Sequence, residues 1–188
     1  FRDKVRCAYD NLPGFLRRMM PLKKDTAEEL LFAHNNSSVR VGLSMRSGTI
    51  HRLHISEMGK IAAQFPKKAY EIVTGSFPAV PKNGIIVIES TAEGQSGEFF
   101  KIAQKAQKNW ETGKELASSE YRFHFFPWYD EAHYRLDPAL IHITPELHEY
   151  FDEVEREVGV KLKVDQRAWY AQFLENEFSG DQEKMWRE

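Results

Sequence analysis

Gly48-Thr49-Ile50-His51-Arg52-Leu53-His54-Ile55-Ser56-Glu57-Met58-Gly59 is the stretch on which the arrangement of the chain turns. Ile50, Leu53 and Ile55 are interrupted by polar residues and bounded by glycines, the pattern of a strand. The strand ends in Ser56-Glu57, and Met58, Ile61, Ala62 and Phe65 then recur at helical spacing. A carboxylate at the C-terminal tip of a buried strand, where a helix opens, stands where open α/β sheets form their ligand crevice. A second strand repeats the theme, Ile85–Ile88 running into Glu89-Ser90-Thr91-Ala92-Glu93-Gly94. Two such tips predict one site built from adjacent strand ends.

The 188 residues suit one domain, with 41% hydrophobic and 29% charged residues, enough to bury a core. No run of about 18 apolar residues occurs, so no segment reads as membrane-spanning. The single cysteine, Cys7, excludes an internal disulfide and a multi-cysteine metal site, and is expected on a helix in a reducing compartment. The chain opens on Phe1 with no signal-like apolar segment, which reads as a piece of a longer polypeptide. Its net charge of −2 hides an asymmetry. Residues 1–24 carry seven Lys/Arg against two Asp, and residues 144–188 six Lys/Arg against twelve Asp/Glu.

Upstream of the quoted stretch, Val5, Ala8, Tyr9 and Leu12 predict a helix stopped by Pro13-Gly14, with a short apolar group, Phe15, Leu16 and Met19, behind it. A hairpin is expected from Glu29–Ala33 and Ser38–Ser44, turning at Asn35-Asn36. It feeds the loop that carries Arg46. Downstream, a helix runs from Met58 through Pro66 to Gly75, and another carries Phe99, Ile102, Ala106 and Trp110. Tyr121, Phe123 and Phe125 alternate with Arg122 and His124 and predict a third strand, Tyr121–Phe126. Strand, helix, strand, helix, strand implies a parallel α/β sheet with right-handed crossovers. Two helices close the chain, one after Thr144-Pro145 with Leu147, Tyr150, Phe151 and Val154 on a stripe, one after Asp165 with Trp169, Tyr170, Phe173 and Leu174.

Three chemistries compete for the strand tips. In a plain structural reading Ser56 caps the helix that follows, Glu57 favours its positive end, and Ser90 or Thr91 caps the next. A metal site fails because His51 and His54, three apart on a strand, point to opposite faces. A nucleotide hydrolase needs positioned water, a counter-charge and phosphate-sensing hydroxyls on neighbouring tips. Glu57, Arg46 and Ser90/Thr91 are residues of those types.

Leu53–Lys60, followed by Ile86-Val87-Ile88-Glu89-Ser90-Thr91-Ala92-Glu93-Gly94, resembles the large terminase subunit of tailed phages and prophages, the ATPase motor that packs DNA into capsids. Asp165-Gln166-Arg167-Ala168-Trp169-Tyr170 is similar to the segment these proteins carry between motor and nuclease. The resemblance implies an incomplete P-loop NTPase-like core of the ASCE type with a C-terminal helical extension. Residues 1–143 would be the second half of the ATPase domain and 144–188 the helical link to a nuclease domain. By the same resemblance Glu57 is the catalytic glutamate of the Walker B strand and Ser90-Thr91-Ala92 the motif coupling hydrolysis to DNA movement. Arg46 stands where this family can place an arginine finger for a neighbouring subunit; the other reading is an exposed loop arginine. ATP and Mg2+ are the implied cofactors. The implied partners are double-stranded DNA, further large-terminase subunits in a ring, the small terminase subunit and the portal protein, with no membrane, in the cytoplasm of the bacterial host.

The sequence departs from that family twice. Ser56 stands where the Walker B strand normally has the first of two acidic residues, so it could touch magnesium only through a bound water and adds no charge. No Gly-x-x-x-x-Gly-Lys-Ser/Thr occurs anywhere, and Gly59-Lys60 has no glycine-rich loop before it. The 188 residues alone are therefore expected not to hydrolyse ATP. The alternative is a non-catalytic DNA- or partner-binding module on an α/β scaffold. Arg2, Lys4, Arg6, Arg17 and Arg18 would then meet phosphates, and the aromatic stretch Phe125–Tyr134 would form a contact surface.

Overall fold

A computed structural model describes residues 2–43, 45 and 48–185. Arg46, the expected arginine finger, lies outside the described residues, as does Ser44 at the end of the expected hairpin. Helix α1 (Arg2–Asp10) and helix α2 (Gly14–Met19) are separated at Pro13, which lacks the amide a continuous helix would need. Strands β1 (Leu22–Asp25), β2 (Glu29–Phe32) and β3 (Ser38–Arg40) then form an antiparallel sheet in that order. Its β2–β3 turn is set by Asn36, whose φ is 56°, and by the Asn35 side-chain Oδ1, which accepts from the Ser37 amide at 3.0 Å. The second strand stops at Arg40, short of the expected Ser44.

Strand β1 was not foreseen, since Leu22-Lys23-Lys24-Asp25 has no apolar alternation. It forms by edge pairing, with charged side chains outward, as edge strands commonly do. Leu30 is buried in this part of the molecule. The Tyr9 hydroxyl donates to the Met20 carbonyl at 3.0 Å, and the Tyr9 ring lies 6.1 Å from Phe32. Arg6 pairs with both Asp10 and Asp25, tying α1 to β1. Cys7 is on α1 and exposed.

The decisive stretch forms β4 (Arg52–Ile55), parallel to β5 (Ile85–Ile88) in the register Arg52↔Ile85 to Ile55↔Ile88. Between them run α3 (Met58–Gln64) and α4 (Pro66–Glu71), the latter opened by Pro66 and prolonged by a π-helical turn, Ile72–Ser76. Leu53 and Ile55 bury against Met58, Ala62, Ala69 and Ile72, with Ile86, Ile88 and Phe99 packed on them. Phe99 belongs to α5 (Gly97–Glu111), which leaves the β5 tip and packs on α3 and α4.

The sheet is smaller than expected, and one face of it is bare. Strand β5 is not buried on both faces: Ile85 is 47% and Val87 50% exposed, beside Arg52 and His54 on the uncovered side. Helices cover only one face of the pair. Residues 121–126 do not form a third strand and make no backbone hydrogen bond among the described residues. The rings decide this. Tyr121 packs 6.4 Å from Phe77 and Phe123 6.1 Å from Trp110, so the segment docks by its side chains on the helical side rather than by its backbone on a sheet edge. The fold is mixed α/β, with a small parallel pair in place of the larger parallel sheet.

The C-terminal part holds α6 (Pro145–Val158), α7 (Val164–Phe178) and α8 (Gln182–Met185). Thr144 accepts from the Leu147 amide at 3.3 Å, Pro145 opens the helix, and Gly159 closes it at φ 69°. Gln166 at the start of α7 accepts from the Lys163 amide at 2.8 Å and donates to the Tyr129 carbonyl at 2.5 Å. Leu147, Phe151, Leu162, Tyr170 and Leu174 form the core between α6 and α7, and Trp128, Tyr129, Ile141 and Ile143 pack against it. The stripe expected on α7 is too narrow a description. Ala168, Tyr170, Ala171 and Leu174 are buried, while Trp169 stacks on Tyr134 (4.0 Å, 3°) and on Phe173 (5.0 Å, 12°). Among the described residues no helix is long and apolar enough to cross a membrane.

Candidate functional site

The site begins with a backbone reversal. Leaving β4, the chain turns at Glu57, whose φ of 57° and ψ of 39° are left-handed, and enters α3. A glutamate gains nothing locally from that conformation, where its Cβ crowds the neighbouring carbonyl oxygen. What holds the turn is the neighbouring strand. The Glu89 amide donates to the Ile55 carbonyl at 3.0 Å, and the Met58 amide donates to the Glu89 carbonyl at 3.2 Å. The next amide of α3, Gly59, donates to Ser90 Oγ at 3.0 Å.

Ser90 therefore caps the helix that follows the other strand. Glu57, not Ser56, occupies the cap position of α3 and makes no side-chain capping bond, so the expected Ser56 cap does not form, while Glu57 does stand at the positive end of that helix. Nor do Ser90 and Thr91 cap the helix after their own strand, since α5 starts six residues later behind Ser96. The close approach requires Gly59: a Cβ there would stand 2.8 Å from Ser90 Oγ, 3.0 Å from the Thr91 carbonyl oxygen and 3.2 Å from the Phe99 ring.

This geometry brings Ser56, Glu57, Ser90 and Thr91 to adjacent strand ends, as the two motifs predict. Ser56, Glu57, Thr91 and Ala92 are exposed and Ser90 is half-buried. The Glu57 carboxylate makes no hydrogen bond or ion pair among the described residues, so it faces solvent at the positive end of α3. Glu89, by contrast, has a partner: His54 Nε2 lies 3.5 Å from its Oε1 on the uncovered face. Among the described residues no group of three His, Cys, Asp or Glu side chains converges to hold a metal ion. Next in sequence to the undescribed Arg46, the Met45 amide donates to Ser76 Oγ at 3.4 Å, and Ser76 is buried in the π-helical turn.

Chemically, the tips present the unengaged Glu57 carboxylate and several hydroxyls on two backbones that are hydrogen-bonded together. Gly59 and the capping role of Ser90 escape the sequence reading because their contact spans 31 residues. The one local signal is a glycine in the first turn of a helix, which implies a close neighbour without naming it. Comparison with known proteins returns no match, to a family model, a curated protein or a solved structure.

Proposed function

We propose that this chain is part of the large terminase subunit of a tailed phage or prophage, a P-loop NTPase-like motor that couples ATP hydrolysis to DNA packaging. The observation that carries the proposal is Glu57, a non-glycine residue in the left-handed region with an unengaged carboxylate, on a tip stitched to the Ser90-Thr91 tip. Strained residues of this kind persist where surrounding contacts over-determine them, and they cluster at functional sites.

In this reading Glu57 orients the attacking water and accepts its proton as the water oxygen adds to the terminal phosphorus and the bond to the diphosphate breaks. Ser90 holds the start of α3 through Gly59, so a displacement of Thr91 by the phosphate is passed to the helix behind Glu57. Arg46 would serve a neighbouring subunit of the ring. For magnesium the residues offer one carboxylate, Glu57, and the Ser56 hydroxyl, a set that fits an ion arriving with nucleotide phosphates and keeping most of its waters. When bound, such an ion would supply charge neutralisation to the nucleotide phosphates. The phosphate-cradling loop must come from polypeptide outside these 188 residues, and double-stranded DNA, the small subunit and the portal protein are the partners this reading assigns.

The test uses the polypeptide that joins this segment to a Gly-x-x-x-x-Gly-Lys-Ser/Thr loop. There Glu57→Gln should keep nucleotide binding and lower turnover by about 10²–10⁴-fold, because the amide keeps the shape but takes no proton. Normal turnover in that variant would leave Glu57 a turn residue and favour the non-catalytic binding module.

A further inference from the structure

Lys101, Lys105 and Asn109 stand four residues apart along one side of α5 and, with Ser119 and Tyr121, line an open cleft of about 280 Å³. From this cleft the extended segment 121–126 leads outward, its odd-numbered residues forming a row of rings. Tyr121 lies in the cleft, Phe123 is 6.1 Å from Trp110, and Phe125 follows 6.5 Å from Phe123 with ring planes 6° apart. The outer end is open, with Trp110 66% and Phe125 69% exposed. Single exposed apolar side chains are ordinary, but a contiguous aromatic row beside a cleft is not.

The charges around the row are not all paired. Glu98 is engaged by Lys101 at 2.9 Å, and Glu120, which also lines the cleft, by Lys114 at 2.7 Å; Lys105 acts on Glu120 only through its field and forms no ion pair among the described residues. Exposed rings beside a lysine that forms no ion pair match what an unpaired nucleic-acid strand needs, stacking for its bases and counter-charge for its phosphates. A duplex hides its base faces and gains little from such a row.

We propose that the lysine-lined cleft and the ring row form a binding site for single-stranded nucleic acid, with bases stacking on Trp110, Phe123 and Phe125 and phosphates passing Lys105. The site does not depend on Glu57. Helix α5 starts at Gly97 against Ala62 of α3, and Trp110 is thirteen residues further along, about 20 Å at 1.5 Å per residue.

Fluorescence anisotropy with the 188-residue chain tests the proposal, using labelled oligodeoxyuridylate, oligouridylate and a mixed-sequence duplex, each of about a dozen nucleotides or base pairs. Both single strands should bind more than tenfold tighter than the duplex, and the ratio between them identifies the sugar. Phe125→Ala and Trp110→Ala should each weaken single-strand binding by about five- to a hundredfold, with Phe125→Trp restoring it. Lys105→Gln should flatten the dependence of log affinity on log salt by about 0.7. Phe125 is mostly exposed, so an unchanged far-UV circular dichroism spectrum separates lost stacking from lost structure. Equal affinity for the duplex, wild-type binding by Phe125→Ala, or no binding of either single strand at tens of micromolar would overturn the assignment.

Discussion

At the scale of single residues, Glu57 and Gly59 divide the work at the β4 tip in a way that stability measurements can separate. Glu57 adopts a conformation that glycine enters freely, and α3 starts correctly only because Met58 and Gly59 find acceptors on the other strand. Glu57→Gly should therefore raise stability by roughly 0.5–1 kcal/mol, the relief of left-handed strain less the backbone entropy of glycine. In the nucleotide-hydrolysing context the same change should abolish turnover, so stability and activity would move in opposite directions. A drop in denaturation midpoint would mean that the side chain has a structural partner. Gly59→Ala should act in the opposite sense. Its methyl would press on Ser90 Oγ and on the Thr91 backbone, an overpacking that typically costs about 1–3 kcal/mol. Equilibrium denaturation in urea measures both; an unchanged midpoint for Gly59→Ala would show that the tips can part without loss.

Elements differ in how plainly the sequence announced them, and the difference is physical. Helix α6 was legible at its start and along its buried face because those signals are local: Thr144 and Pro145, then apolar residues at 3.6-residue spacing. Strand β4 and the helices after it were legible for the same reason. Strand β1 was not, because what makes it a strand is Glu29, a residue on its neighbour. Lys24 of β1 and Arg40 of β3 each reach a different oxygen of the Glu29 carboxylate, both at 2.8 Å, so one side chain joins three strands. The two cations hold Glu29 at a pKa of about 2, well below the ordinary 4.5. A depressed carboxyl pKa adds stability that is complete above the unfolded value and lost as pH falls towards the folded one. Glu29→Gln should thus lower stability at neutral pH, and its difference from the parent chain should shrink as pH drops from about 4.5 to about 2. Denaturant titrations of both proteins across that range check it; a gap independent of pH would mean that shape, not charge, matters at position 29. Segment 121–126 is the opposite case, with strand-like alternation but rings that found partners on helices before its backbone found a strand.

For the whole molecule, the physical oddity is a parallel pair of four-residue strands with one face bare. Parallel strands are stable when both faces are covered, and here α3, α4 and α5 serve only one of them. Ile85 and Glu89 donate their amides towards β4, so by the two-residue alternation of a strand the amides of Ile86 and Ile88 point to the other edge of β5. If the motor reading holds, the strand that delivers the phosphate-binding loop must end near the same tips, and the open edge of β5 is where it can pair. That yields a measurement independent of catalysis. In the 188-residue chain the Ile86 and Ile88 amides should exchange with solvent deuterium far faster than those of Ile85 and Glu89. In the polypeptide that includes the loop they should become as protected as their neighbours. Persistent fast exchange at Ile86 and Ile88 in the longer polypeptide would leave the edge of β5 open and the loop without a strand beside Glu57. The hydrolytic reading would then fail even if Glu57→Gln lowered activity for some other reason.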